Sequence, residues 1–432
     1  MKQFNNLRQK YPIFTYKKYE INYKDDNLNL KFHYSFGDYK FIHNLSWQNI
    51  PKTDIKTLEN IIFHIGLVES ISYWKLTCSK ELKIECGNID EDQQNWFKKL
   101  FLNGLGEFIY INKILVSLDD FVNITCTKDL STLPKVDIKT KEANLIPIGG
   151  GKDSCVTYEL LKDDSSYLFA MNPIEPTRKI MANSSLKNIK MKRVLDPQII
   201  ELNKQEFLNG HVPFSSILSF ISLLTASIYN LKYIPLSNES SANEENIIFN
   251  NIKINHQYSK SIEYENDFRS YYKKYLTDDI EYFSFLRPLH ELHIAKLFSK
   301  YRYFHDIFLS CNVGSKRGVW CTKCPKCLFT FVMLHAYLDT KAMINIFGVN
   351  MLEDDSLKDM LKNLMGNGEI KPFECVGTYE EVNIALSLIS KQYSELPSLL
   401  QKLDIKSHTI PTINWKEHNL TKMHLDILKN AF

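Results

Sequence analysis

Between residues 140 and 236 the chain alternates short apolar runs with amphipathic stretches. An uncharged run at 144–148 predicts a buried strand. A helical pattern at 154–163 follows, with Val156, Leu160 and Leu161 on one side. Further strands are predicted at 167–171, 191–194 and 233–236, with helical stretches at 177–188 and 213–230. This rhythm predicts an α/β fold: a parallel sheet with helices on both faces. Ligands of such sheets sit beyond the carboxyl ends of the strands. Residues 1–46 follow another pattern. Runs at 13–16, 28–36 and 39–43 are rich in β-branched and aromatic residues, separated by turns at Asp25-Asp26-Asn27 and Gly37-Asp38. Helical patterns at 54–76 and 91–110 come next, and a polar linker covers 127–134.

These patterns predict an N-terminal α+β domain over 1–138, which covers or supports a catalytic domain over 139–340. A helical C-terminal region, 341–432, has helices at 355–365, 379–391 and 395–403 and a Gly366-Asn367-Gly368 break. The charge-free run 213–231 is long enough to span a bilayer. Its Ser215, Ser216, Ser219, Ser222, Thr225 and Ser227 favour a buried core helix instead.

Composition narrows the class. The 432 residues are 44% apolar and 24% charged, the mix of a globular protein. A formal charge of +3 is too small for a general nucleic-acid coat. The first six residues carry no hydrophobic signal segment, which predicts a cytoplasmic protein. In that compartment clustered cysteines mean metal more often than disulfide. Four of the nine cysteines, Cys311, Cys321, Cys324 and Cys327, fall within 17 residues. Two overlapping C-x-x-C steps can converge on one tetrahedral ion, and Cys311 completes four sulfurs, a set suited to structural Zn²⁺. Lys316, Arg317, Lys323 and Lys326 would offset its negative charge. An Fe–S cluster is the rival metal, and buried free thiols the reading without one.

The strand at 144–148 ends in Gly149-Gly150-Gly151, followed by Lys152, Asp153 and Ser154. Glycines let the backbone approach an anion, and a helix start adds unpaired N–H groups. Ser154 or Asp153 can cap that helix. The spacing is not that of a Walker A loop, because Ile146 and Asp153 occupy its defining positions. An ordinary Gly-rich turn is the plain alternative. The run resembles the S-G-G-x-D-S loop of the N-type ATP pyrophosphatases, which split ATP between the α and β phosphates, with Gly149 where that family usually has Ser.

Three polar loops follow later elements: Asn209-Gly210-His211-Val212-Pro213, Ser237-Asn238-Glu239-Ser240-Ser241-Ala242-Asn243-Glu244, and Asn255-His256-Gln257-Tyr258-Ser259-Lys260-Ser261. Each alone can be a turn or a capped helix start, with Ser259 as one such cap. Together they predict a polar substrate pocket, in which Lys260 could hold a phosphate or carboxylate and His211, His256 and Glu239 could move protons.

With the glycine loop, Cys321-Thr322-Lys323-Cys324-Pro325-Lys326-Cys327 and Lys371-Pro372-Phe373-Glu374-Cys375-Val376-Gly377, these runs resemble the ATP-dependent UDP-N-acetyl-α-D-muramoyl-L-alanyl-L-glutamate epimerases. The resemblance covers most of 145–380. It implies an adenine nucleotide α-hydrolase-like catalytic domain that takes UDP-MurNAc-L-Ala-L-Glu, ATP and water to UDP-MurNAc-L-Ala-D-Glu, AMP and diphosphate in peptidoglycan precursor synthesis. Gly149, Gly150, Gly151 and Ser154 would hold phosphates, Lys152 would neutralise them, and Asp153 would hold Mg²⁺. Asn172 and Arg178 would meet the nucleotide. His211, His256, Glu239 and Cys375 are candidates for the epimerising acid and base; a buried, inert thiol is the other reading of Cys375. The implied partner is the UDP-linked muramoyl dipeptide, with no nucleic acid and no membrane. The rivals are another ATP pyrophosphatase acting on a nucleobase, as in 7-cyano-7-deazaguanine synthases, or on tRNA, and a non-catalytic nucleotide-binding sensor.

Overall fold

A computed structural model describes residues 2–127, 130–405 and 409–432. Lys128 and Asp129 of the expected linker lie outside the described residues. The strands are Ile13–Lys24 (β1), Asn27–Phe36 (β2), Tyr39–Trp47 (β3), Glu81–Ile84 (β4), Asn123–Cys126 (β5), Lys141–Pro147 (β6), Tyr167–Met171 (β7), Lys187–Val194 (β8), Leu231–Leu236 (β9), Ile247–Phe249 (β10), Ile252–Ile254 (β11) and Glu281–Ser284 (β12). The structure is mixed α/β. It divides into two compact units, one made of the chain up to Ala143 with Lys190–Ile234 and Ile248–Tyr282, the other of Asn144–Ile189, Pro235–Ile247 and Phe283–Phe432.

In the first unit the strands lie in the order β8-β3-β2-β1-β4-β5. Both expected hairpin turns are present. Asp25 and Asp26 have φ of 51° and 57°, the left-handed pair that a two-residue turn requires between twisted strands. Phe36 pairs with Tyr39 across Gly37-Asp38. Period-two burial of Leu28, Leu30, Phe32, Tyr34 and Phe36 fixes one face of β2 as core. The helix Glu59–Glu69 is buried from Asn60 onward. A Cβ at Gly66 would lie 2.0 Å from the Tyr16 hydroxyl, so only glycine permits this approach. Glu69, fully buried, takes a two-pronged pair of bonds from Arg193 at 2.8 and 2.6 Å.

The charge-free run forms the helix Phe214–Tyr229. Three of its hydroxyls fold back on backbone carbonyls, Ser219 to Ser216, Thr225 to Ile221 and Ser227 to Leu223, and so are buried with their hydrogen bonds made, whereas the buried Ser222 hydroxyl has no partner among the described residues. Among the described residues no helix is long and apolar enough to cross a membrane.

In the second unit the strands lie in the order β12-β9-β6-β7, and β6 and β7 are parallel, as the alternating pattern requires. Two expectations need correction. The helix placed at 177–188 spans Glu175–Ala182 and ends at Asn183. The segment from Lys187 is strand, and its later residues pair antiparallel with β3 from residue 44 to 47. The reading also passed over β12 and the helices Glu291–Lys300 and Pro325–His335, of which the second is buried almost throughout and shows little amphipathic contrast.

Candidate active site

In the second unit the glycine loop leaves the end of β6. The Ile148 N–H bonds to the Phe169 carbonyl at 2.8 Å, which carries the chain into the loop at the carboxyl end of the strand. Gly150 has φ +91°, and a Cβ there would meet Thr177 Oγ1 at 3.0 Å. A Cβ at Gly151 would lie 2.8 Å from Ser310 Oγ. Gly149 has open space around it. Thr177 donates its hydroxyl to the Gly149 carbonyl at 3.0 Å, and the Leu309 N–H bonds to the Gly150 carbonyl at 2.9 Å. The loop is thus braced from behind.

The helix starts earlier than expected, at Lys152, with Gly151 at its cap position and no side-chain cap. Neither Ser154 nor Asp153 caps it. Ser154 donates its hydroxyl to the Gly151 carbonyl at 2.9 Å, and Asp153 receives the Lys152 ammonium. The first-turn amides are therefore not claimed by a side-chain cap.

Lys152 is 2% exposed and also bonds to Glu291, which is 1% exposed. Glu291, Asp153 and Glu239 bring carboxylate oxygens within 4.8 Å of one another. Burial, opposed by Lys152 and reinforced by Asp153 and Glu239, pushes the Glu291 carboxyl up to about 8. Lys152 is held above the ordinary lysine value, because Asp153 and Glu291 outweigh the cost of its burial.

Buried hydrogen bonds fix this constellation. The Glu291 N–H bonds to Glu381 Oε1 at 2.6 Å, and Ser241 donates to the same oxygen at 2.7 Å. Glu381 also belongs to the capping box of the helix Tyr379–Ser390, taking the Thr378 N–H at 2.6 Å. Burial opposes its ionisation, yet bonds from His290, Thr378, Ser241 and Glu291 hold its carboxyl below the usual range. The Glu239 carbonyl accepts from the buried Arg287 at 2.6 Å. Gly377 packs close to Glu291, where a Cβ would lie 3.0 Å from Glu291 Cγ, so the run holding Cys375 lies beside the carboxylates. Lys326 bonds to the Cys375 carbonyl and acts electrostatically on Glu291. After β7, Asn172 has φ 49°, and Arg178 donates to the Pro173 carbonyl at 2.6 Å and to Glu175 at 3.2 Å.

The four cysteines also converge in the second unit, with their sulfurs within 4.8 Å of one another. The Gly314 N–H points at Cys311 Sγ at 3.0 Å and the Cys321 N–H at 3.4 Å. Four sulfurs with inward amides are the donor set a structural zinc site uses. Two cations expected to offset the thiolates have partners elsewhere: Lys323 pairs with Asp354, and Lys326 bonds to the Cys375 carbonyl.

The first unit holds a different cluster. Glu107, His211 and His256 offer ligand atoms within 4.8 Å of one another. His256 Nδ1 lies 2.5 Å from Glu107 Oε2, and His211 Nδ1 lies 3.8 Å from the same oxygen. The two rings are 4.3 Å apart. Burial, with His256, Lys75 and Lys260 adding positive potential, lowers His211 to about 3. Ser259 is not a cap; Ser261 is, accepting the Tyr264 N–H at 3.1 Å.

Sequence reasoning missed Glu291, Glu381, Arg287 and Glu107. Extending the strand–helix rhythm beyond Leu236 to β12 points to Glu291, the first residue of the next helix. Glu107 lies on a helix of the N-terminal region and carries no spacing signal.

A mixed α/β chain with a braced glycine loop, a buried lysine among carboxylates and a four-sulfur cluster has the site of an enzyme. Residues 5–285 match the MurL N-terminal domain, and residues 307–416 match the MurL C-terminal domain. The chain belongs to the MurL epimerase family. A UDP-N-acetyl-alpha-D-muramoyl-L-alanyl-L-glutamate epimerase of Salinispora tropica is 32% identical over 379 residues, covering 85% of this chain and 81% of its own. Epimerases of the same name from a Micromonospora species and Xanthomonas oryzae pv. oryzae are each 31% identical, over 79% and 76% of this chain and 78% and 74% of theirs. No solved structure matches the chain.

Proposed function

We propose that this protein epimerises the terminal L-Glu of UDP-MurNAc-L-Ala-L-Glu to D-Glu at the expense of ATP, through an acyl-adenylate, releasing AMP and diphosphate. Family membership and the relatives' shared name support the epimerase role and the substrate. The observation that carries ATP use is the clustering of Asp153, Glu239 and Glu291 beside the helix that opens at the glycine loop. Three carboxylates around one lysine fit a divalent cation bound with phosphates. The same features support an adenine nucleotide α-hydrolase-like fold.

The chemistry explains the need for activation. A Cα–H beside a carboxylate is a very weak acid, because its loss would place a second negative charge on the group. Adenylation removes that charge and gives a mixed anhydride. The proton can then leave and return on the other face before hydrolysis. Backbone amides of 149–151, with Lys152 and Ser154, would receive the phosphates, and Asp153 would hold Mg²⁺ with Glu239 and Glu291 near. Asn172 and Arg178 would meet the nucleotide. Lys260 would hold an anionic group of the substrate. His211, His256, Glu239 and Cys375 are the candidates for proton exchange. Cys311, Cys321, Cys324 and Cys327 would hold a structural Zn²⁺ that pins their loop. A UDP-linked substrate would fit a cytoplasmic enzyme without nucleic-acid or membrane partners.

The test is to incubate the purified protein with UDP-MurNAc-L-Ala-L-Glu, with and without Mg²⁺-ATP, and follow glutamate chirality. D-Glu formed only with Mg²⁺-ATP is the expected result. Equal D-Glu formation without nucleotide would overturn the activation step, and no D-Glu under either condition would overturn the epimerase.

A further inference from the structure

The run from Lys371 to Gly377 lies in the second unit beside the carboxylate cluster. At its start Lys371, 2% exposed, pairs with Glu244 at 3.0 Å, and Asn246 donates to the Pro372 carbonyl at 2.9 Å. At its end Gly377 fits among three side chains. A Cβ there would lie 3.0 Å from Glu291 Cγ, 3.0 Å from Phe329 Cζ and 2.5 Å from Glu381 Oε2. The middle of the run is held from the cysteine cluster. Asn312 donates to the Glu374 carboxylate, and Lys326 donates to the Cys375 carbonyl.

Both holding residues adjoin a sulfur donor in the sequence: Asn312 follows Cys311, and Lys326 precedes Cys327. Cys324 caps the helix Pro325–His335 and Cys327 lies in its first turn, so the placement of these sulfurs sets the placement of Lys326. The same helix carries Phe329, which backs Gly377. Lys326 is also near enough to Glu291 for its charge to favour the carboxylate. Lys323, on the same cysteine loop, turns elsewhere, to Asp354. Two side chains and one strap of backbone thus connect the four cysteines to Glu291.

Resting on the four-sulfur zinc reading and on the proposed reaction, we propose that Lys326 and Asn312 are positioning residues for the epimerisation, which hold the Glu374-Cys375 segment beside Glu291 while the four cysteines are drawn together. The cysteine cluster then shapes the active site as well as its own loop. Without a metal nothing draws four thiols to one point, and the bonds made by Lys326 and Asn312 loosen with them.

The test reads the run through Cys375 itself. Alkylation by iodoacetamide, resolved by site with peptide mass spectrometry, reports how open this thiol is in the zinc-loaded full chain. Removing zinc with a chelator should speed Cys375 alkylation by about tenfold or more, and Lys326→Met should do the same with zinc content unchanged. Lys326→Arg, which keeps a donor and the charge, should restore the parent rate, and Lys323→Met should leave it unaltered. In turnover, Lys326→Met should lower kcat for D-Glu formation by about tenfold with KM within about twofold, and Lys326→Arg should recover at least about half of the parent kcat. Cys375 alkylation at the parent rate after zinc removal, or in Lys326→Met, would overturn the assignment. So would an equal rise in Lys323→Met. A parent chain that takes up no zinc would overturn the four-sulfur reading and the assignment with it. Zinc-dependent alkylation of Cys375 in a chain that forms no D-Glu would instead overturn the proposed reaction while supporting the tie between the cysteines and the run.

Discussion

The glycine-loop cluster and the histidine cluster are electrostatic opposites. Around Lys152 stand Asp153, Glu239 and Glu291, with Lys326 also acting on Glu291, and the surplus of negative charge shows in the raised Glu291 carboxyl. Around Glu107 stand His211 and His256, with Lys75 and Lys260 acting on His211, and the surplus shows in its depressed imidazole. The first is a site short of positive charge, suited to a divalent cation and its phosphates. The second is short of negative charge, suited to an anionic ligand and unfavourable to protonation of His211. The contrast teaches that one fold prepares two polar environments of opposite charge balance.

The largest expected effect tests the first environment. Asp153→Ala should lower turnover by about 10³-fold, measured as D-Glu formation, and leave zinc content unchanged. Loss of zinc with turnover would show that the loop and the cysteine cluster are not separable. Next in size is stability. Lys152→Met removes the cation beside Asp153 and the bond to Glu291 and should cost about 3–5 kcal/mol in chemical denaturation of the metal-free protein. His211→Gln, at a part-exposed position, should cost about 1 kcal/mol or less. Equal costs would erase the distinction between a buried ion cluster and an open one.

The two clusters should also tilt stability in opposite directions with pH. Glu291 keeps its proton in the folded state up to about 8, against an ordinary value of 4.5. The folded state then binds more protons across that window, so this contribution is lost as pH rises from about 4.5 to about 8. His211 titrates near 3 when folded, against 6.5. Here the unfolded state binds more protons, and the contribution is lost as pH falls from about 6.5 to about 3. Denaturation of metal-free protein across pH should show Glu291→Gln flattening the upper limb and His211→Gln the lower. The same limb flattened by both would contradict the contrast.

The smallest effect lies in the loop. Gly149→Ser should change stability by no more than about 0.5 kcal/mol, because a Cβ there meets nothing within 4 Å. Gly150→Ala, at φ +91° and against Thr177, should cost at least about 1–2 kcal/mol. Thermal unfolding of the two variants would show whether the glycines are distinct, as the geometry requires.

What could be read from the chain was local. Charge-free runs gave β6, β7 and the helix Phe214–Tyr229, and paired turn residues gave the hairpins of β1–β3. The glycine loop and the four cysteines were legible because their spacing in sequence is nearly their spacing in space. Glu291 lies 139 residues from the lysine it contacts, and Glu107 lies 149 residues from His256. Such partners leave no local pattern, and each has a side chain that would pass for a solvated helix residue. The cap at Gly151 was misread for a related reason. Ser and Asp usually cap helices, but here Asp153 is taken by Lys152 and Ser154 bonds to the Gly151 carbonyl.

The central claim is that the loop cluster activates a carboxylate by cleaving ATP between its α and β phosphates. Its most direct test is the nucleotide product, followed with ATP labelled at the α phosphate while UDP-MurNAc-L-Ala-L-Glu is converted. The account predicts labelled AMP, formed one for one with D-Glu. Labelled ADP, or D-Glu accumulating while the nucleotide stays intact, would contradict it.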